Sequence, residues 1–402
     1  MSIDNEIRKA LERHESDVQT QPGAWHEVER SIGRSHRRRL AVIGACTALA
    51  VAGGAIALPR IGTRSQPAPI ISQPPSTGKP SPAPSTTKNS AQPKVIAKIP
   101  VNAIALASNQ NAIWAITQPS VAGKPGTLVK IDAATNRVID RIQVGVAPVA
   151  LAATSDSVWV SNGPRCGAAP SCSHGATPAS GNENSVWRID ASNDRVLARI
   201  PVAYAGDIAA GEGAVWVNGD RLYKIDPATN RVVLRAGAPG NGAVHLAAGA
   251  GYLWTTSSSG QSETIVGIFD PKDLTLVGTV RIPTRDTFGD VTTGNGSAWV
   301  TTNSSTSASA LARIDPISRR VTVTITLPDA APIGLMSVTS GQGFVWATSV
   351  RGYLWRVDPT TNKPLGGPVL IGAAPPENAP DAVTGFGSVW VASADGHVWR
   401  LS

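Results

Sequence analysis

AVWVNGDRLYKIDPATNRV, residues 214–232, is the stretch of sequence that decides the fold. It holds a short apolar run around Trp216, a second run that ends at Asp226, and an Asp-Pro-Ala-Thr-Asn turn. The apolar run with its central tryptophan recurs seven times, at Trp114, Trp159, Trp216, Trp254, Trp299, Trp346 and Trp390. Self-similarity at a spacing of roughly 36–58 residues indicates a repeat architecture. We expect these tryptophans to be core residues between repeats, because large rings at one repeated position dominate packing.

Each repeat has the elements of a small antiparallel sheet. A Gly-containing turn such as Gly211-Glu212-Gly213 precedes most of the tryptophan strands, and glycine supplies the positive φ of tight turns. A third strand ends in aspartate at Asp132, Asp190, Asp226, Asp270, Asp315 and Asp358. The Asp-Pro turn is followed by a fourth, alternating strand, as in RVLARIPV at 195–202. Four short strands per unit are typical of a β-propeller blade.

The two ends of the repeat region complete each other. The seventh copy stops at Ser402, after its third strand, and VIAKIPV at residues 95–101 matches the fourth strands of the other units. Pairing these segments closes the ring and removes an exposed sheet edge. The sequence therefore predicts an all-β, seven-bladed propeller over residues 95–402, with four-stranded blades and residues 95–101 closing the last one.

The motifs resemble a known family. Val-Trp-Val-x-Asn followed by Ile-Asp-Pro-Ala-Thr-Asn-Arg-Val is similar to YVTN-type repeats and to the propellers of the streptogramin (virginiamycin B) lyases. That resemblance covers residues 95–402 and implies the propeller fold. For the lyases it also implies a His and Glu set that holds a divalent ion. Here His245 and His397 fall at different positions of different blades and no Glu accompanies them, so no catalytic residues are predicted.

Three segments precede the propeller. Residues 1–39 have two short amphipathic patterns, which predict two cytoplasmic helices and a weak cytosolic partner. Residues 40–58 are nineteen uncharged, mostly apolar residues after an arginine cluster, and predict a transmembrane helix with a cytoplasmic N-terminus. A cleaved signal peptide is the alternative. Residues 59–94 are rich in Pro, Ser and Thr and predict a disordered stalk, which would hold the propeller outside the cell.

The charge distribution and the cysteines indicate which partners and which covalent or metal sites to expect. The net charge of +8 comes mostly from the stalk, and residues 95–402 are nearly neutral. No basic face is evident from that balance, so we expect no nucleic-acid partner. Cys166 and Cys172 lie close together in a variable insertion, and on the outer side of a membrane they predict a disulfide. A metal site that also uses His174 is the alternative.

One column of residues suggests a ligand site. Counting nine residues back from each repeat tryptophan gives the start of the innermost strand, with Ala105, Ala150, Asp207, His245, Asp290, Ser337 and Asp381 in these positions. These residues should approach the central channel on the face of the variable loops. Three carboxylates and an imidazole suit a cation or a polar ligand, so Asp207, His245, Asp290 and Asp381 are candidate ligands of a divalent cation. The alternative is that an aspartate at a strand start accepts backbone N–H bonds.

A second column contains Lys130, Arg188, Lys224, Arg313, Arg356 and Arg400, two residues before the third-strand aspartate position. We expect these cations to form a solvated ladder with neighbouring acids.

Taken together, the sequence predicts a membrane-anchored, extracytoplasmic propeller of a bacterial envelope that binds or senses a protein, peptide or glycan. A metal-dependent lyase or hydrolase similar to streptogramin lyase is the alternative, and a structural envelope protein is the second.

Overall fold

The computed structural model describes residues 92–402 except 119–123, 164–183, 241, 243, 259–262, 285–288, 303–308, 328–333 and 373–380. These residues lie within one compact unit, residues 85–402. The predicted helices of residues 1–39, the predicted membrane segment 40–58 and most of the stalk lie outside the described residues. No helix within the described part is long and apolar enough to cross a membrane.

The described chain forms seven small antiparallel sheets. Strand β1 (Val95–Ile99) comes first in sequence but belongs to the last sheet. Blade 1 contains β2 (Ala105–Ser108), β3 (Ile113–Thr117), β4 (Pro125–Asp132) and β5 (Arg137–Val146). Blade 2 contains β6 (Pro148–Ala153), β7 (Ser157–Asn162), β8 (Ser185–Asp190) and β9 (Val196–Pro201). Blade 3 contains β10 (Ile208–Gly211), β11 (Ala214–Asn218), β12 (Leu222–Asp226) and β13 (Arg231–Ala236).

The second half repeats this order. Blade 4 contains β14 (His245–Gly249), β15 (Tyr252–Ser258), β16 (Glu263–Phe269) and β17 (Leu276–Pro283). Blade 5 contains β18 (Val291–Gly294), β19 (Ser297–Thr302), β20 (Ala310–Asp315) and β21 (Arg320–Thr326). Blade 6 contains β22 (Leu335–Gly341), β23 (Phe344–Ser349), β24 (Tyr353–Asp358), β25 (Lys363–Pro364) and β26 (Val369–Leu370), with β25 and β26 both paired to β24. Blade 7 contains β27 (Asp381–Gly385), β28 (Ser388–Ser393) and β29 (His397–Leu401).

The predicted closure is confirmed. Strand β1 pairs antiparallel with β29, so the order in blade 7 is β27, β28, β29, β1. The N–H of Ser402 donates to the carbonyl of Lys94 at 3.0 Å. Ile99 and Val101 are buried in a core that they share with Trp390 of blade 7 and Ile113 of blade 1. The ring is therefore closed by backbone pairing and by apolar burial at the same place.

The seven repeat tryptophans lie between blades, as predicted. Each is at most 2% exposed. In blades 3, 4, 5, 6 and 7 the indole N–H also donates to the carbonyl of the glycine five residues earlier, for example Trp216 to Gly211 at 2.9 Å. The tryptophan thus fixes the turn that leads into its own strand while it fills the core between neighbouring sheets.

The tight turns between first and second strands bring the blades close together. Asn295 and Gly296, at φ of 51° and 72°, form the tip of the turn in blade 5. Before this tip, a Cβ on Gly294 would lie 2.3 Å from the Ser340 hydroxyl of blade 6. Only glycine fits there without displacing the next blade.

Blade 6 differs from the prediction of a continuous fourth strand. Strands β25 and β26 are two residues each, and Leu365, Gly366, Gly367 and Pro368 separate them. Gly366 has a φ of 70°, and a proline on either side lacks the N–H that a ladder needs. The outer edge of blade 6 is therefore interrupted, while the other blades have one continuous outer strand.

Candidate functional site

The predicted column of residues lies at one end of the ring. Ala105 pairs with Ile116, one residue before the end of β3, and His245 pairs with Thr256 near the end of β15. The inner strands therefore begin where the second strands end and where the variable connections emerge. We call this end of the ring the loop face, and the opposite end, with the Gly and Asp-Pro turns, the turn face. The expectation that the column shares a face with the variable loops is confirmed.

The three aspartates of the column fasten each blade to the next. One carboxylate oxygen of each aspartate accepts the N–H of a residue in the following inner strand: Asp207 from Leu246 at 2.8 Å, Asp290 from Val338 at 2.8 Å and Asp381 from Leu106 at 2.7 Å. For Asp290 and Asp381 the other oxygen accepts the N–H of the next residue in their own strand, also at 2.8 Å. The interpretation that these aspartates accept backbone N–H bonds is confirmed, and one donor of each is in a neighbouring blade.

His245 and Ser337 fill the interfaces between these aspartates. The Nδ1 atom of His245 lies 3.6 Å from an oxygen of Asp290 and 3.9 Å from an oxygen of Asp207. Ser337 donates its hydroxyl to Asp381 at 3.1 Å. We call Asp207, His245, Asp290, Ser337 and Asp381 the mouth cluster. It follows the channel mouth over blades 3 to 7, and Ala105 and Ala150 occupy the corresponding positions in blades 1 and 2.

Burial changes the acidity of the mouth cluster. Burial raises the pKa of Asp207 to about 6, although the positive form of His245 opposes the rise. Burial, with the charge of Asp290 adding to it, raises the pKa of Asp381 to about 7. Burial also raises the pKa of Asp290, whose side chain is 16% exposed. Near neutral pH the aspartates of the mouth cluster can therefore hold protons that isolated aspartates would release.

A metal site is not evident in this geometry. Within the described ranges, no group of three or more His, Cys, Asp or Glu side chains is arranged to hold a metal ion. The carboxylates of the mouth cluster are instead engaged with main-chain N–H groups of the inner strands. A divalent cation at Asp207, His245, Asp290 and Asp381 thus stays a prediction without a ligand geometry to support it.

The other candidate residues lie outside this cluster or outside the described residues. Cys166, Cys172 and His174 lie outside the described residues, so the disulfide stays a prediction. His397 begins β29 in blade 7, where its Nδ1 lies 3.0 Å from the carbonyl of Asp395. His245 begins β14 in blade 4. The two histidines therefore stand in different blades, as the sequence indicated.

Behind the mouth cluster the inner strands line a space mostly with small side chains. This cavity has a volume of about 280 Å³. Ala107, Ala152, Ala209, Ala247, Thr292 and Thr293 are among the lining residues, all on inner strands. A cavity of this size accommodates water or a small polar molecule and has no aromatic wall.

The second column is not a solvated ladder, because its cations are largely buried, although Lys130 and Arg188 do pair with the neighbouring acids Asp194 and Asp156. Arg188 lies 4.9 Å from the centre of the Trp159 ring, and its guanidinium donates to the carbonyl of Pro227 and the side chain of Asn230 in blade 3. Lys130, Lys224, Arg313 and Arg400 make the same link, each over its own repeat tryptophan and onto the Asp turn of the next blade. Arg356 is 7% exposed and lies over Phe344 and Trp346. These cations are part of the structural framework.

Blade 4 reverses the direction of this link. Ile268 stands where the other blades have the cation, and the turn of blade 5 has Arg319 where the turn of blade 3 has Asn230. Arg319 reaches back to the carbonyl of Val277 at 2.6 Å and lies over the Tyr252 ring of blade 4. The paired exchange is visible in the sequence and is the signal by which these links could have been recognised.

Comparisons with known proteins support the fold. A repeat of unknown function, DUF6923, matches residues 242–396, which lie in blades 4 to 7. No curated protein matches the chain. Among solved structures, the Kuenenia stuttgartiensis hydrazine synthase is similar with a TM-score of 0.59 and 13% sequence identity, over 75% of this chain and 96% of that one. This likeness shows the propeller fold alone. The narrower resemblance to YVTN-type repeats and streptogramin lyases is not confirmed.

Proposed function

We propose that the chain is a membrane-anchored binding module whose loop face recognises an extracytoplasmic protein, peptide or glycan. The observation that supports this most directly is the contrast between the two faces of the ring. One face bears connections of very different length around the mouth cluster, and the other bears nearly uniform turns. Variable loops on a rigid scaffold are where binding residues are usually found.

The turn face is nearly uniform over five blades. In blades 3 to 7 the first-to-second-strand turns have a residue with positive φ followed by a glycine with positive φ, as in Glu212-Gly213, Ala250-Gly251, Gln342-Gly343 and Phe386-Gly387. On the loop face the second-to-third-strand connections run from about 3 residues between β11 and β12 to about 22 between β7 and β8. Such a difference is expected where one face maintains the fold and the other varies for recognition.

The anchor belongs to the same proposal. Residues 40–58 are long enough to cross a bilayer, the arginines before them favour a cytoplasmic N-terminus, and residues 59–94 have the composition of a spacer. This arrangement would place the propeller outside the cell membrane as a single-pass protein, with residues 1–39 inside. Because the link to the membrane is one segment, the loop face could reach partners at a distance from the bilayer.

Site-directed photo-crosslinking in whole cells tests the proposal. A photoreactive amino acid would be placed in the full chain at Lys124 or Asn102, both exposed on the loop face, and as a matched control at Ser192 or Thr229, both exposed on the turn face. We expect adducts with an envelope component from the loop-face positions only, and labelling by a membrane-impermeant reagent at all four. Equal adduct yields from the two faces, or no labelling from outside, would contradict the proposal.

A further inference from the structure

The outer strands of four adjacent blades are strongly cationic. Each of β1, β5, β9 and β13, taken with the residue just before it, has two basic residues four positions apart, in blades 7, 1, 2 and 3 respectively. We call these eight residues the cationic rim: Lys94, Lys98, Arg137, Arg141, Arg195, Arg199, Arg231 and Arg235. All eight are exposed, and Asp140 is the one carboxylate within the same strands. The expectation of no basic face is therefore wrong, because the near-neutral total charge concealed an uneven distribution.

These cations have no carboxylate partner among the described residues. The ion pairs of the described part involve other basic side chains, such as Lys130 with Asp194 and Arg281 with Glu263. The unpaired charges instead lie beside exposed apolar residues of the same strands, including Ile96, Ile139, Leu197 and Val233. An exposed surface that combines unpaired cations with apolar groups fits an anionic partner.

The rim cations stand on both sides of the clefts between blades. Arg137 is opposite Asp132, on the face of blade 1 from which Lys130 reaches blade 2. Arg199 is opposite Trp187, whose ring packs into the core shared with blade 1. Directly opposed residues of antiparallel strands project to the same side, so Arg137 and Arg199 flank one cleft. The same register puts Arg195 and Arg235 beside the cleft between blades 2 and 3.

We propose that the cationic rim binds a flexible phosphodiester polymer that runs along the circumference of blades 7, 1, 2 and 3. Six of the eight cations are arginines, whose planar guanidinium binds phosphate oxygens in a bidentate manner. The outer strands also have one unpaired edge, where main-chain N–H groups face solvent and can donate to an anion. This surface is separate from the loop face, and its role does not depend on the function proposed for that face.

The shape of the rim selects a polymer over other anionic partners. A flat membrane touches a convex rim over a short arc, whereas a flexible chain follows it across several blades. An acidic peptide added to one edge strand would meet the two cations of that blade alone. Single-stranded nucleic acid is disfavoured because aromatic rings that stack on bases must be accessible. Trp187, Tyr223 and Trp399 lie beneath Arg199, Arg235 and Lys98 and are 5–6% exposed.

Polymer binding by full-length protein in a neutral detergent tests the proposal. The probe is a fluorescently labelled glycerol-phosphate oligomer, and Kd is measured by anisotropy from about 0.05 to 0.3 M salt. The rim variant combines Arg137→Ser, Arg195→Ser and Arg231→Ser, none of which has a side-chain hydrogen bond or ring contact in the described part. The control combines Arg221→Ser, Lys272→Ser and Arg351→Ser, which remove the same charge from exposed positions off the rim. Both variants keep the basic stalk, so its contribution cancels.

We expect Kd to rise about tenfold or more in the rim variant and less than about twofold in the control. The slope of log Kd against log salt should fall by about 2 in the rim variant, from roughly 0.7 for each lost contact. Equal weakening in the two variants would overturn the proposal, because binding would then follow net charge alone. Binding of a polygalacturonate chain or a duplex DNA as tightly as the glycerol-phosphate oligomer would also overturn it. Unchanged melting temperatures show that both variants are folded.

Discussion

At the residue scale, the aspartates of the mouth cluster each connect two blades through main-chain N–H groups. This role places each carboxylate at a partly buried position. Burial disfavours the charged form, so the pKa values of Asp207, Asp290 and Asp381 are raised. The cost of a charge in such a place is highest when all three carboxylates are ionised. The cluster therefore couples the stability of the ring to pH.

We expect the protein to be more stable at pH 5 than at pH 8. The pKa of Asp207 is about 6 in the folded chain, against an ordinary value of 3.8, and that of Asp381 is about 7. The folded state therefore binds protons more tightly than the unfolded state, and the free energy of unfolding falls as pH rises from about 4 to 7. Thermal melts at both pH values measure the difference, to which Asp207 contributes about 1–1.5 kcal/mol, since its folded pKa lies about one unit above pH 5.

Two substitutions make this test specific. Asp207→Asn should reduce the difference in melting temperature between pH 5 and pH 8. Asp226→Asn should leave it unchanged, because hydrogen bonds at its turn lower the pKa of Asp226, so that carboxyl is ionised at both pH values in either state. A difference in Asp207→Asn as large as in the natural chain would show that another group is responsible.

Divalent cations should have little effect on the mouth cluster. Its carboxylate oxygens already accept N–H bonds from Leu246, Val338 and Leu106, so a metal would compete with the links between blades. We expect Ca²⁺, Mg²⁺, Zn²⁺ or a chelator to shift the melting temperature by less than about 1 °C, since a ligand stabilises only what it binds. A larger rise that disappears in Asp290→Ala would instead restore the metal-dependent alternative.

At the scale of the element, neighbouring sheets are joined by a cation, an indole ring and a turn. Arg188 belongs to the third strand of one blade, stacks on that blade's tryptophan and binds the turn of the next. Replacement of Arg188 by methionine retains bulk but removes the donors and leaves the Pro227 carbonyl without them. We expect a loss of about 2 kcal/mol in the free energy of unfolding, measured in urea.

The matched control is Arg195→Met, on the exposed outer strand of the same blade. Because the side chain of Arg195 has no hydrogen bond to a turn among the described residues, we expect a change below about 0.5 kcal/mol. A similar loss in both variants would mean that the link at Arg188 adds nothing beyond a surface charge.

Much of the fold could be predicted from sequence, because each blade repeats local signals. The tryptophan strand and the Asp-Pro turn each predict the structure of their own blade. The complementary ends of the repeat region predict the closure of the ring. The links between blades could not be predicted in the same way. Asp207 and Arg188 both have their partners in another blade, about 40 residues away in the chain. The partner of Asp207 is a main-chain N–H, which no residue pattern identifies, whereas the only sequence signal for the Arg188 type of link is the paired exchange at Ile268 and Arg319. The charge of the rim was missed for a related reason, since an overall count averages the rim with an acidic remainder.

At the scale of the whole molecule, one strand holds the ring closed. Removal of residues 92–101 would leave the edge of β29 unpaired and expose the core beneath Ile99 and Val101. We expect the shortened protein to aggregate or to unfold at a much lower temperature. Size-exclusion chromatography and thermal melting measure this.

Moving the strand provides the control. The same ten residues, attached after Ser402 through a short Gly/Ser linker, can reach the same edge because Lys94 and Ser402 are hydrogen-bonded neighbours. The relocated strand should restore a monomer with a melting temperature near that of the natural chain. A stable monomer without any closing strand would show that the tryptophan interfaces suffice.

The pairing of β1 with β29 also sets a waiting time during synthesis. Lys94 and Ser402 are 308 residues apart, so the first strand is complete long before its partner exists. At about 5–20 residues per second the interval is roughly 15–60 s. During this interval strand β1 has no partner strand, while the blades between β1 and β29 can already form in order. A nascent chain of this protein should therefore depend on chaperones chiefly at strand β1. Chaperone binding there should end in one late step, when β29 is synthesised and pairs with β1.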